Sequence, residues 1–289
     1  MIREDQTVAY ATAPDGVRLY YEEAGTGTPI VFVHEFSGDL RSWEPQLQHF
    51  SRRYRCIAFN ARGYPPSDVP TRVSSYSPGL AVEDIVAVMR HLGVRRAHIM
   101  GCSMGSQSTL HFGLTHPRQA ITLTAIGAGS GSSFSSRDEQ KRTAETNAQR
   151  YERDGLAAVL ERIRKAPNRL RLKRKNPRAW EDFGKRFLEH SAQGCANIQR
   201  GVQARRPPLT KLGREFAALT VPTHLVVGDE DTAAVDASLF IKRTCPAASL
   251  TIAPATGHLV NLEEPELLNS LTEKFYALVE GGQWRPQPA

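Results

Sequence analysis

The chain has 289 residues, 40% hydrophobic and 23% charged, with a net charge of +7 at pH 7. That length can bury a large core, in one big α/β domain or one such domain carrying a sizeable insertion, and the composition excludes a disordered or collagen-like chain. No run of about 18 apolar residues occurs and MIREDQTVAYATAPDG holds no stretch apolar enough for a signal peptide, so the expectation is an unexported, cytoplasmic protein with no membrane span.

In chain order, TVAYAT and VRLYYEE alternate around Asp15-Gly16, which predicts an opening hairpin. PIVFVH, CIAFN, AHIMG and ITLTAIG are short, non-alternating runs rich in β-branched and aliphatic residues, as expected of strands covered on both faces in a parallel sheet. Residues 79–92 place Leu80, Ile85, Val88, Met89 and Leu92 near one helical stripe, and Gly93 ends it. A second helix is predicted over 104–115, closed by His116-Pro117.

The strand–helix alternation lapses over about 129–215, between the turn-prone GAGSGSSFSS and RRPPLTKLG. Between Arg137 and Arg214 stand 21 Lys/Arg against 9 Asp/Glu, so this stretch is strongly basic while the rest is mildly acidic. The surplus is consistent with solvated helix faces or with attraction of a carboxylate-bearing substrate. RLRLKRKNPR has charge but little aromatic interleaving, which argues against nucleic acid as a partner. The pattern resumes with THLVVG, a helix near 237–243, SLTIAP and a C-terminal helix over 266–280. The expected division is a core of 1–128 and 216–280, a helical insertion of 129–215, and a frayed tail of 281–289. Cys56, Cys102, Cys195 and Cys245 lack ligand spacing, which argues for reduced thiols and against a zinc site.

Chemistry concentrates in HIMGCSMGSQS, residues 98–108. GxSxG alone is weak, but here it follows an apolar strand and opens a helix, the setting of a nucleophile elbow. A serine there occupies a strained turn, so Gly101 and Gly105 give strand and helix backbones room to approach. The Ser103 hydroxyl needs a base, itself oriented by a carboxylate. His258 stands in PATGHLVNLEEPE after one apolar run, and Asp231 three residues past another that ends at Gly228, with Asp229 and Glu230 as rivals for the acid role. His98 and His224 lie inside predicted strands and read as packing residues. Oxyanion donors are expected from the N–H of Met104 and, in VFVHEFSGDLRSW, of Phe36.

Together these motifs resemble those of the α/β-hydrolase superfamily, in the branch holding enol-lactonases, carboxylesterases, ring-cleavage-product hydrolases and cofactor-free haloperoxidases. VFVHEFSGDLRSW corresponds to its oxyanion loop, FNARGYPPSD to its DxRGxGxS segment, GCSMGS to the elbow, VVGDED to the acid loop and GHLVNLEEPE to the histidine loop. The resemblance implies an eight-stranded, mostly parallel sheet with helices on both faces and residues 129–215 as a helical cap. It further implies a Ser103–His258–Asp231 hydrolase without cofactor or metal. The expected substrate is a small ester or lactone. The alternatives are C–C bond cleavage in a vinylogous diketone acid, or a ligand receptor that keeps the fold. Two positions depart from the family pattern. Glu35 replaces the usual Gly, with its side chain either turned to solvent or a salt bridge or set at the pocket rim, where it would disfavour anionic substrates. Asn60 replaces the usual Asp and reads as structural.

Overall fold

The protein is described by a computed structural model that covers residues 9–129 and 136–286. Strands β1 (Tyr10–Thr12) and β2 (Arg18–Ala24) form the expected hairpin, followed by β3 (Thr28–Val33), helix α1 (Glu44–Phe50) and β4 (Tyr54–Phe59). Then come α2 (Pro78–His91), β5 (Ala97–Cys102), α3 (Met104–Thr115) and β6 (Ala120–Ile126). Helices α4 (Arg137–Arg164), α5 (Leu170–Lys175), α6 (Pro177–Leu188), α7 (Ala192–Ile198) and α8 (Gly213–Ala218) intervene before β7 (Thr223–Gly228). The chain closes with α9 (Thr232–Thr244), β8 (Ala248–Ala253), α10 (Val260–Glu263) and α11 (Pro265–Glu280).

The described strands make one eight-stranded sheet in the order β1-β2-β4-β3-β5-β6-β7-β8. β2 runs antiparallel to β1 and β4, and all other pairings are parallel. Parallel strands are buried on both faces, and β3 shows how an unbroken apolar run serves both. Its Val31 and Val33 pack with Ile85, Val88 and Met89 of α2, while Ile30 and Phe32 face Trp43, Phe275 and Tyr276 on the other side.

That second apolar cluster does not stop at the sheet. Tyr151, Leu172, Trp180, Phe183 and Phe187 of the inserted helices belong to it, all buried. Each such side chain contributes about 1.5–3 kcal/mol on burial, so α4–α7 are packed onto the sheet rather than hung from it. α4 is broken at Gly155, where φ is 75°. Within the segment expected to fray, Gln283 and Trp284 donate their N–H groups to Leu278 O, and Trp284 packs edge-on against Phe275 at 5.0 Å. An aromatic ring within reach of the α11 face docks this stretch; residues 287–289 lie outside the described residues, as do 130–135 of the first predicted linker. No helix among the described residues is long and apolar enough to cross a membrane.

Candidate active site

β5 ends at Cys102 and α3 begins at Met104, which leaves a single residue to reverse the chain. That residue, Ser103, takes φ 52° and ψ −109°, a region costly for a side-chain-bearing residue. Its N–H donates to Ile126 O at 2.7 Å at the end of β6, which anchors the turn to the sheet. The flanking glycines are required by contact: a Cβ on Gly101 would strike the Gly105 carbonyl, and one on Gly105 would strike the Val33 carbonyl at the end of β3.

Asp231 lies in the loop after β7, as read from the sequence, and its Oδ2 accepts a hydrogen bond from His258 Nδ1. Both side chains are buried. Burial alone would raise the Asp231 carboxyl, but the hydrogen bond and charge of His258, aided by Asn168 and Arg169, hold it below its ordinary value. α9 starts at Thr232, five residues before the expected 237, because Asp231 occupies its N-cap position. The carboxylate does not cap that helix; it is turned to the imidazole instead. The two rivals are occupied elsewhere. Asp229 Oδ1 accepts from Thr256 N–H at 3.0 Å, and Glu230 is paired with Arg171 near the surface.

The His258 loop carries a brace that sequence reasoning missed. Glu263 is buried, and its two oxygens accept the N–H groups of Gly257 at 2.7 Å and Leu259 at 3.0 Å, one on each side of His258. An acid five residues beyond the histidine was the available signal. On the opposite side, Asn168 O accepts the His258 N–H at 2.8 Å and Asn168 Nδ2 donates to Asp231 Oδ1 at 3.3 Å.

The oxyanion loop follows β3. His34 is buried, which lowers its pKa and leaves it neutral; Nδ1 donates to Glu35 O at 2.7 Å and Nε2 accepts the Ala61 N–H at 3.0 Å. Tyr64 Oη donates to Phe36 O at 2.7 Å, which fixes that peptide from its carbonyl side. Phe36 N–H meets no acceptor among the described residues, and Met104 N–H, at the first position of α3, has no partner within its helix. Asn60 is structural as read, accepting the Leu40 N–H and donating to Pro65 O.

Glu35 makes the salt bridge that is one of its two readings, and it also borders the cavity: it is buried, and both its oxygens accept from Arg169 Nη1 and Nη2 at 2.8 Å. Burial would raise this carboxyl, yet the charge and hydrogen bonds of Arg169 bring it down to about 2. The pair cancels the negative charge that would have repelled an anionic substrate.

Ser103, His258, Glu35 and Phe36 all line one cavity of about 340 Å³. Asp231 stands behind the imidazole, and the Met104 side chain faces a separate crevice. Neither Ser103 Oγ nor His258 Nε2 makes a hydrogen bond with a described residue, so both remain available to the cavity they share. Much of the roof comes from residues between β6 and β7, including Gln140, Asn147, Gln199, Gln203 and Arg206. His98 and His224 are packing residues, as read: His98 stacks on Tyr276 at 3.9 Å and bonds Thr122 Oγ1, while His224 bonds Thr251 Oγ1.

A family model described as the alpha/beta hydrolase fold matches residues 28–265. Among curated proteins, a putative 2-succinyl-6-hydroxy-2,4-cyclohexadiene-1-carboxylate synthase of Bacillus subtilis is 25% identical over 91% of this chain and 96% of its own length. The 3-oxoadipate enol-lactonase 1 of Acinetobacter baylyi is 26% identical over 87% and 89%. Among solved structures, a thermophilic esterase from Thermogutta terrifontis superposes with a TM-score of 0.83 at 24% identity, covering 94% of this chain and 98% of that one. With a match across most of its length, the sheet order described above and a serine at the strand–helix turn, this chain belongs to the alpha/beta hydrolase fold family.

Proposed function

We propose that the protein is a serine hydrolase that cleaves a small carboxylic ester or lactone through an acyl-enzyme. The carrying observation is that Ser103, at φ 52° on its strand–helix turn, opens onto the same cavity as His258, whose Nδ1 is engaged by buried Asp231. In this reading the Asp231 carboxylate fixes the tautomer with Nδ1–H, so that Nε2 is the acceptor for the Ser103 proton. Ser103 Oγ attacks the carbonyl, and the tetrahedral oxyanion is met by the N–H groups of Phe36 and Met104 at the positive end of α3. His258 returns the proton to the leaving alcohol, then activates water against the acyl-enzyme.

The lining supports a compact, polar substrate. A cavity of about 340 Å³ is at the small end for ligand sites. Its roof is lined by the polar side chains of Asn147, Gln199 and Gln203 and by Arg206, whose pKa burial lowers only to about 10, so it stays charged near neutral pH. Residues 129–215 act in this scheme as the cap that excludes water from the reaction. The names of the esterase and enol-lactonase relatives support the ester and lactone classes. The test is fluorophosphonate labelling with mapping of the adduct, then a panel of esters, lactones and diketone acids. Labelling at Ser103 and turnover that falls about 10⁴-fold or more in Ser103→Ala are expected. Full activity in Ser103→Ala overturns the assignment, and turnover confined to diketone acids replaces ester hydrolysis with C–C cleavage.

A further inference from the structure

The basic stretch RLRLKRKNPR begins at Arg169, and the scheme above gives it no role. Its side chains lie against the core at three places, each beside a residue of the proposed mechanism. Arg169 holds Glu35, the neighbour of Phe36 in the oxyanion loop. Arg171 holds Glu230, the neighbour of Asp231 in the acid loop. Lys175 is paired with Glu264 and donates to Thr256 Oγ1 at 3.2 Å, so it grips the histidine loop on both sides of His258. Asn168, just ahead, bonds the His258 N–H and the Asp231 carboxylate. Arg171 and Lys175 are four residues apart on α5 and so share a face, while Leu172 is buried in the apolar cluster.

We propose that residues 168–175 form a positioning strap that sets the oxyanion, acid and histidine loops in mutual register, with the buried Glu35–Arg169 pair as its centre. This rests on the serine-hydrolase reading. Arg169, Arg171 and Lys175 are taken up by the protein's own carboxylates, while Lys173, Arg174 and Arg178 of the same stretch are exposed. Arg169 borders the cavity, but its charge is already balanced there by Glu35, whose two oxygens accept from both its Nη groups. The stake in register is large: an oxyanion donor works at 2.7–3.1 Å from the developing charge, and a misplacement of about 1 Å costs roughly 10²-fold.

The experiment compares the intact protein with Arg169→Met, Arg169→Lys, Glu35→Gln, the Arg169→Met/Glu35→Gln double variant and Arg171→Gln/Lys175→Gln. Each is assayed on a neutral aryl ester and its anionic analogue, and for the second-order rate of fluorophosphonate attack. In Arg169→Met and Glu35→Gln, kcat and the labelling rate should both fall about 10- to 100-fold with KM changed less than about threefold. The double variant should be no worse than the poorer single one, because the two groups act as a unit. Arg169→Lys, with the charge but not the fork, should recover part of the loss. Should the buried variants fail to fold, Arg171→Gln/Lys175→Gln decides: a several-fold drop in kcat at an unchanged Tm supports the strap, and an unchanged kcat overturns it. Folded Arg169 and Glu35 variants within about twofold of wild type in kcat, or losses confined to KM for anionic esters, also overturn it. Ser103→Ala is run in parallel. If that variant is active the hydrolase reading fails, whereas if it is inactive and the strap variants are normal, only the strap fails.

Discussion

Glu35→Gln probes the energetics of the buried pair, because the side chain keeps its shape while it loses its charge and exchanges one of its two accepting oxygens for an NH2 donor. Two routes give the cost. With the Glu35 carboxyl at about 2 against an ordinary 4.5, linkage assigns the pair roughly 3 kcal/mol of stability at pH 7. Independently, removing one partner of a buried ion pair costs about 3–5 kcal/mol, since the other charge is left desolvated; here that charge is Arg169. The sign follows from the depressed pKa. Stabilisation is complete above the unfolded value of 4.5 and drains as the pH falls toward about 2, so about 1 kcal/mol of it should be gone by pH 3.5. Urea unfolding followed by tryptophan fluorescence, at pH 7, 5 and 3.5, measures both numbers as a difference between wild type and variant. That difference cancels the other acids that titrate in the same range. Trp43 lies in the sheet-side core and Trp180 in α6, so the emission covers core and inserted helices together. A gap under about 1 kcal/mol at pH 7, or one that does not narrow on acidification, would refute the reasoning.

Three further outcomes are expected. Ser103→Gly, which abolishes the proposed nucleophile and also relieves the φ of 52°, should be more stable than Ser103→Ala by about 1 kcal/mol or more in the same urea assay. Asp231→Asn should cost about 10⁴-fold in kcat by favouring the wrong imidazole tautomer, whereas Asp229→Asn should cost far less; equal losses would contradict the acid assignment. Glu263→Ala removes the acceptor for two N–H groups beside His258, and kcat should fall about 10- to 100-fold, more than KM rises; steady-state kinetics on one ester is sufficient to see it.

Legibility in the sequence followed the range of the interactions. The sheet was readable because buried parallel strands are short apolar runs, and Ser103, Asp231 and His258 follow the ends of three of them within five residues. Local chemistry also made Asn60 and the packing histidines readable. α1 was not marked, because EPQLQHF offers only Leu47 and Phe50 as apolar residues in so short a helix. The start of α9 was misplaced because Asp231, at its N-cap, gives its carboxylate to His258 rather than to the helix. Glu35 could not be assigned from its neighbours at all: its partner lies 134 residues away, and nothing near either residue encodes the pairing.

The charge asymmetry acquires a physical meaning from those same long-range pairs. The inserted helices carry the basic surplus and the core the acidic one, and besides Arg169–Glu35, Arg171–Glu230 and Lys175–Glu264, Arg186 of α6 meets Glu44 of α1 at 3.2 Å. These contacts are unequal. Arg171–Glu230 and Arg186–Glu44 are partly exposed, where salt screens them and each is worth about 0–1 kcal/mol. Arg169–Glu35 is shielded from salt by burial, and the apolar packing of Trp180, Phe183 and Phe187 is indifferent to it. Raising the ionic strength should therefore loosen the margins of the strap while the inserted helices stay docked. Activity on a neutral ester should decline gradually with salt without a matching fall in Tm. An insertion held mainly by its outer ion pairs would instead lose activity and stability together.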